Sequence, residues 1–211
     1  DVIISVSDLV GLLENGIEQP IDLTLSSDNF NLNFQPMFQD VIRLSDSDLT
    51  GRVDLEDLTL DYTSFTTTME GVQISSEGAA YLALEKAQPA DLPFGIRLTA
   101  ETDGNITAET VLKYWPVDLG GGARDWVREN LRGGNVFESQ LKLDMPPDSL
   151  RKGYLSDEAL QIDFSFTDGA ASFLEDLPPI SNGSGSGQLK GNSFSLDLAS
   201  AEFSEWQLTG G

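Results

Sequence analysis

Alternation of apolar and polar side chains constrains this chain more than any other feature of its sequence. Leu160, Ile162, Phe164 and Phe166 are interleaved with Gln161, Asp163, Ser165 and Thr167. A period of two puts successive side chains on opposite faces of a strand, so each such run predicts one solvated face and one face that must be covered. The same alternation recurs in Ile21, Leu23 and Leu25, in Phe30, Leu32 and Phe34, and in Val53 and Leu55 followed by Leu58, Leu60 and Tyr62. Its phase breaks at Glu56-Asp57, which predicts a turn or bulge, because a slip of one residue would reverse every side chain after it. Further strands are expected at 72–74, 80–85, 94–101 and 106–114, with Asp103-Gly104 as a hairpin turn between the last two. Others begin at Leu189, run through Phe194, Leu196 and Leu198, and end with Phe203, Trp206 and Leu208. Residues 86–93, with two prolines, predict a loop. The Asn-Gly-Ser-Gly-Ser-Gly run at 182–187 reads as a flexible loop by composition, and 181–188 is its expected extent.

One segment breaks the strand pattern clearly. Ala123, Trp126, Val127 and Leu131 recur at helical spacing, with Arg124, Arg128 and Glu129 turned away from that face. Gly120, Gly121 and Gly122 open this helix, and Gly133 stands where a left-handed C-cap is expected. Alternation then resumes with Leu141, Leu143 and Met145, until Pro146-Pro147 stops the strand. A weaker helix carrying Leu9, Val10, Leu12 and Leu13 can be capped by Ser7 and ended by Asn15-Gly16. Residues 49–62 and 187–198 echo each other as short strand, turn and longer strand, a weak repeat of a hairpin unit.

Composition removes several classes of function. Twelve Lys and Arg against 35 Asp and Glu leave a net charge of -23, a field that repels nucleic-acid phosphates and anionic membrane surfaces. Such an exterior does not forbid burying an acyl chain. No Cys means no disulfide and no thiolate metal site, and no His removes Ser-His-Asp catalysis and imidazole-ligated zinc. No run approaches 18 apolar residues, so nothing here predicts a membrane-spanning helix. The chain begins with Asp and ends with Gly-Gly directly after an apparent strand, and we expect it to be one segment, 1–211, of a longer repetitive protein.

Four candidate chemistries are each weaker than a structural explanation. Asp46, Asp48, Thr50, Asp54 and Asp57 approach the spacing of a calcium loop, but the twelfth position lacks Glu and strands flank it. Carboxylate pairs for glycoside hydrolysis need a spatial separation that sequence does not give. The three glycines before the helix could cradle an anion, yet no phosphate motif accompanies them, and a loose start to the helix is the simpler account. Trp115, Trp126 and Trp206 sit at apolar-phase positions, where they serve as core more often than as a sugar platform. No catalytic residue, metal or cofactor is expected. What remains is the apolar faces, for which the predicted helices give too little cover. Either a second sheet packs on them or they line a groove, and periodicity does not separate the two.

The Trp115-Pro116 pair, the short helix with Trp126 inside it, the sequence Leu-Arg-Gly-Gly-Asn-Val at 131–136 and the alternating strand after it resemble the AsmA-like superfamily of bacterial envelope proteins, closest to the YhdP type. The resemblance implies an elongated, curved antiparallel sheet with an apolar inner face and one or two short helices. It also implies an inner-membrane anchor preceding these residues, a periplasmic location and a part in moving phospholipid between inner and outer membranes, hence in outer-membrane homeostasis. Phospholipid acyl chains would be the partners, and no enzymatic step is implied. On this hypothesis Leu58, Leu60, Leu141, Leu143, Leu160, Ile162, Phe164, Phe194 and Leu196 face the lipid groove, and Trp126, Val127 and Leu131 form a structural lid. The alternative is an extracellular β-sandwich adhesion or carbohydrate-binding module with a closed dry core.

Overall fold

The computed structural model describes residues 2–6, 20–33, 38–82, 94–117, 121–147, 149, 155–172 and 178–210. Among the described residues twelve strands form one open antiparallel sheet: β1 (Val2–Val6), β2 (Ile21–Leu32), β3 (Ile42–Asp54), β4 (Thr59–Met69), β5 (Val72–Leu82), β6 (Phe94–Asp103), β7 (Ile106–Thr107), β8 (Leu131–Met145), β9 (Leu160–Ala171), β10 (Ile180–Lys190), β11 (Ser193–Phe203) and β12 (Trp206–Thr209). They lie side by side in sequence order, except that β8 follows β6 directly and the two-residue β7 pairs with β8. Among the described residues no second sheet packs against the first, which overturns the sandwich alternative. Only nine apolar side chains are buried among them, far too few for the closed core a sandwich would need.

Register makes the alternation collective. Directly opposed residues of antiparallel strands point to the same face. One row of partners runs Leu25, Leu49, Phe65, Ser76, Ala100, Leu141, Ile162, Leu189 and Phe194 across β2 to β11. Another runs Leu23, Gly51, Tyr62, Gly78, Leu98, Leu143 and Leu160. The row Asp22, Arg52, Asp61, Ala79, Arg97 and Asp144 belongs to the opposite face. There Arg52 pairs with Asp22 at 2.9 Å and Arg97 with Asp144 at 3.1 Å. From β2 to β11 the strands joined in these rows are therefore amphipathic in phase with their neighbours, and this part of the sheet has one apolar and one polar side.

Several local expectations are corrected. Residues 106–114 are not a strand hairpinned to β6: after β7 the chain forms helix α1 (Ala108–Lys113), whose N-cap Thr107 accepts the N–H of Thr110 at 3.2 Å. That side-chain cap offers the backbone an alternative to the ladder. The main helix, α2 (Gly121–Asn130), ends earlier than Gly133 would dictate. The Asn130 side-chain amide donates to the Trp126 carbonyl at 2.9 Å, and Leu131 becomes the first residue of β8. Arg124, expected on the outer face, is buried.

The run at 181–188 is not a loop but most of β10, a strand paired on both edges. Gly183, Gly185 and Gly187 alternate with serines there, and the last two oppose Phe166 and Phe164 on the apolar face. A Cβ at Gly187 would collide with the Phe164 ring and lie 2.8 Å from Leu196 Cδ2. Glycine is present because neighbouring side chains occupy its place, a close approach of the kind that favours glycine within strands. The helix expected after Ser7, the loop at 86–93 and Phe34 lie outside the described residues. The turn expected at Glu56-Asp57 is found at 55–58. There the Asp54 carboxylate accepts the N–H groups of Glu56 and Asp57 at 2.9 and 3.1 Å.

Candidate functional site: an apolar face with a covered pocket

Helices α1 and α2 pack on β7 and β8 and roof a cavity of about 310 Å³ on the apolar side of the sheet. Its floor is Ile162, Phe164 and Phe166 of β9, Leu189 of β10, and Phe194, Leu196 and Leu198 of β11. Trp126 and Val127 of α2, Val111 of α1 and Trp115 close it from above and from one side. The rings of Trp126, Phe194 and Phe164 follow one another, with centroids 6.3 and 6.2 Å apart. Of the described lining residues only Asn135 and Ser139 have polar side chains, apart from the indole N–H groups of Trp115 and Trp126. Such a site offers hydrocarbon contact and almost no hydrogen-bonding specificity.

The pocket is continuous with the rest of the face. Leu189, Ile162 and Trp115 belong both to its wall and to a packed cluster built on Met145, Leu155, Leu160 and Leu189, against which Leu141, Leu143, Ile96 and Phe94 rest. Phe94 in turn borders a second, shallower hollow of about 270 Å³ with Val53, Leu58, Leu60, Ala80 and Leu82. The groove candidates therefore separate into three groups on one face. Ile162, Phe164, Phe194 and Leu196 line the covered pocket, Leu141, Leu143 and Leu160 form the packed bridge, and Leu58 and Leu60 line the open hollow. The lid residues Trp126, Val127 and Leu131 all border the pocket, with Leu131 contributing from β8. Trp115, Val111 and Gly183 of β10 line the pocket as well, though apolar alternation does not point to them. Period-two spacing of Gly183, Gly185 and Gly187 is the signal that could have placed the glycines.

A fastening joins the helical cover to the far side of the sheet. Glu70, at the β4–β5 turn with φ of 51°, accepts hydrogen bonds from Lys113 Nζ at 2.5 Å and Tyr114 Oη at 2.8 Å. These two bonds, with the Lys113 charge, hold the Glu70 carboxyl below the usual glutamate range.

Another hollow, about 600 Å³, is on the polar side and is lined by hydroxyls, amides and charged groups such as Thr99, Glu101, Gln140, Lys142 and Asp163. Its polar groups are partly satisfied by one another. Gln161 and Gln188 donate to Asp163 and hold its carboxyl below the usual range. Among the described residues no three acidic side chains are placed to hold a metal ion, and Asp46, Asp48 and Asp54 are spread along β3. No described helix is long and apolar enough to cross a membrane.

Neither the curated proteins nor the solved structures contain a match to the chain. The family model described as YhdP protein matches residues 4–211. That match spans both hollows, the packed bridge and the helical cover, and the chain belongs to the YhdP family of AsmA-like envelope proteins.

Proposed function

We propose that this chain is a segment of a periplasmic lipid conduit, carrying phospholipid acyl chains on its apolar face between the inner and outer membranes. The observation that supports the reading is continuity: open hollow, packed bridge and covered pocket share residues and lie on one face. Burial of each methylene contributes about 0.8 kcal/mol, so a chain of ordinary length binds well without any polar contact. Because nearly every lining group is hydrocarbon, neighbouring positions differ little in affinity and a chain can slide. The conduit would be held at the inner membrane by a preceding anchor and would support outer-membrane homeostasis. It binds and passes its cargo without making or breaking a bond.

The test is solvent extraction of purified, folded protein followed by lipid mass spectrometry. Phospholipid near stoichiometric amounts is expected. Phe194 and Leu196 are 40% and 41% exposed although they line the pocket. Phe194→Asp or Leu196→Asp should therefore leave the fold intact, as read by circular dichroism, and remove the lipid. Reproducible absence of lipid from the folded wild type would sink the reading, and so would undiminished lipid in both folded variants.

A further inference from the structure

The helix that carries Trp126 and Val127 over the pocket also carries a buried arginine. Arg124 is 8% exposed, and its Nε has no hydrogen-bond partner. Surface arginines lay an apolar stem on the protein and keep the guanidinium in water or on a carboxylate. Arg128, one turn on, does so, half exposed and 2.7 Å from Asp125. The chain carries 35 acidic residues against 12 basic ones, yet among the described residues no carboxylate pairs with Arg124. Leaving a guanidinium nitrogen buried and unbonded is costly, and the cost calls for an explanation.

Its position supplies one. Arg124 and Val127 are three residues apart, hence on the same helix face, and both are buried. Val127 and Trp126 line the apolar pocket. Helical Cα–Cβ bonds tilt toward the N-terminus of their helix, so the stem of Arg124 leaves the backbone on the side of the first turn of α2. The N–H groups of that turn have no partner within the helix, and the ten-residue helix places partial positive charge there. No acidic residue occupies the turn, and a Cβ at Gly122 would meet open space. Gly121 and Gly122, weighed from sequence as part of an anion cradle and set aside for want of a phosphate motif, open the same helix that carries this cation with an unused donor.

We propose that Arg124 and the first turn of α2 bind the oxyanion head of an amphiphile whose hydrocarbon lies in the adjoining pocket. This rests on the pocket's being a hydrocarbon site and adds a head-group preference to it. Dodecyl phosphate, dodecanol and inorganic phosphate, the tailed probes below their critical micelle concentrations, separate the possibilities. Binding is followed by the fluorescence of Trp115 and Trp126. Wild type should bind dodecyl phosphate roughly tenfold more tightly than dodecanol, the scale of one charge-assisted interaction, and should lose part of that advantage in high salt. Arg124→Met should bind the two alike, keep its dodecanol affinity within about twofold, and melt no lower than wild type, since an unpaired buried donor has been removed. Arg124→Lys should retain part of the preference.

Equal binding of both tailed probes by wild type overturns the anion site, as does an unchanged preference in Arg124→Met. Inorganic phosphate binding as tightly as dodecyl phosphate assigns the site to free phosphate and overturns the amphiphile. Failure of dodecanol and dodecyl phosphate alike to bind overturns the hydrocarbon pocket itself. Should Arg124→Met not fold, the wild-type preference, its salt dependence and Arg124→Lys still decide.

Discussion

The two halves of the apolar face follow the same alternation and end differently. Across β3 to β6, Val53, Leu58, Leu60, Leu82 and Phe94 border a shallow hollow over which no described helix packs. Across β8 to β11, side chains of the same kinds floor a roofed pocket. Alternation fixes which face is apolar, and it is blind to whether that face closes. Closure comes from residues that interrupt the pattern. Thr107 caps α1 where a strand would otherwise run on, α2 brings Trp126 over Phe194, and Gly187 leaves room for the Phe164 ring. If the face carries lipid as proposed, the open stretch would leave it accessible and the covered stretch would shelter it.

The sharpest test of this difference is truncation on each side. Leu160 is 5% exposed in the packed bridge that supports the covered half, so Leu160→Ala should cost about 3 kcal/mol. Leu60 in the open hollow is only half-buried, and Leu60→Ala should cost about 1 kcal/mol. Denaturant unfolding of the two variants reads both. Equal losses would mean that the open half is covered after all. Next in size is the roof itself. The ring of Trp126 is half-buried against Phe194 rather than enclosed, so Trp126→Ala should cost about 2 kcal/mol, below the 3–5 kcal/mol typical of a fully buried ring. The same variant should raise the access of an apolar dye to the pocket and leave the hollow at Leu60 unaffected.

Much of this was legible before any coordinates. Leu160 to Thr167 announces a strand with one apolar face, and the Glu56-Asp57 phase break announces a turn. The shortage of predicted helical cover narrowed the choice to a second packed sheet or a groove, and periodicity did not separate the two. What sequence hid has physical causes. The β10 glycines carry no side chain to show their face, so composition spoke for a loop, while at Gly187 the Phe164 and Leu196 side chains occupy the vacant place. Residues 106–114 have strand-like content, and a single hydroxyl on Thr107 turns them to helix. Arg124 is charged and was placed outside on that ground alone, whereas helical phase puts it with Val127. Register, which joins nine strands into one apolar row, depends on bulges such as the one between Tyr62 and Phe65, and no local pattern specifies where bulges fall.

The smallest expected effect concerns the contact that ties the two halves together. Glu70 belongs to the β4–β5 turn of the open half, and Lys113 and Tyr114 belong to the cover. The pair is partly exposed, 28% at Lys113 and 41% at Glu70, so its effect on global stability is small and screened by salt. The Glu70 carboxyl titrates lower in the folded protein than when free. Its contribution is therefore complete above the ordinary glutamate range and lost as pH falls through the lowered value. Glu70→Gln should melt within about a degree or two of wild type under acid conditions and slightly below it near neutrality, so the gap between the two closes as pH falls. Hydrogen exchange should localise the change, with faster exchange in α1 and at the β4–β5 turn and none in β9. If the gap between variant and wild type does not change with pH, or if exchange quickens in β9 as well, the contact is not a separate fastening and the cover is held by its packing on β7 and β8 alone.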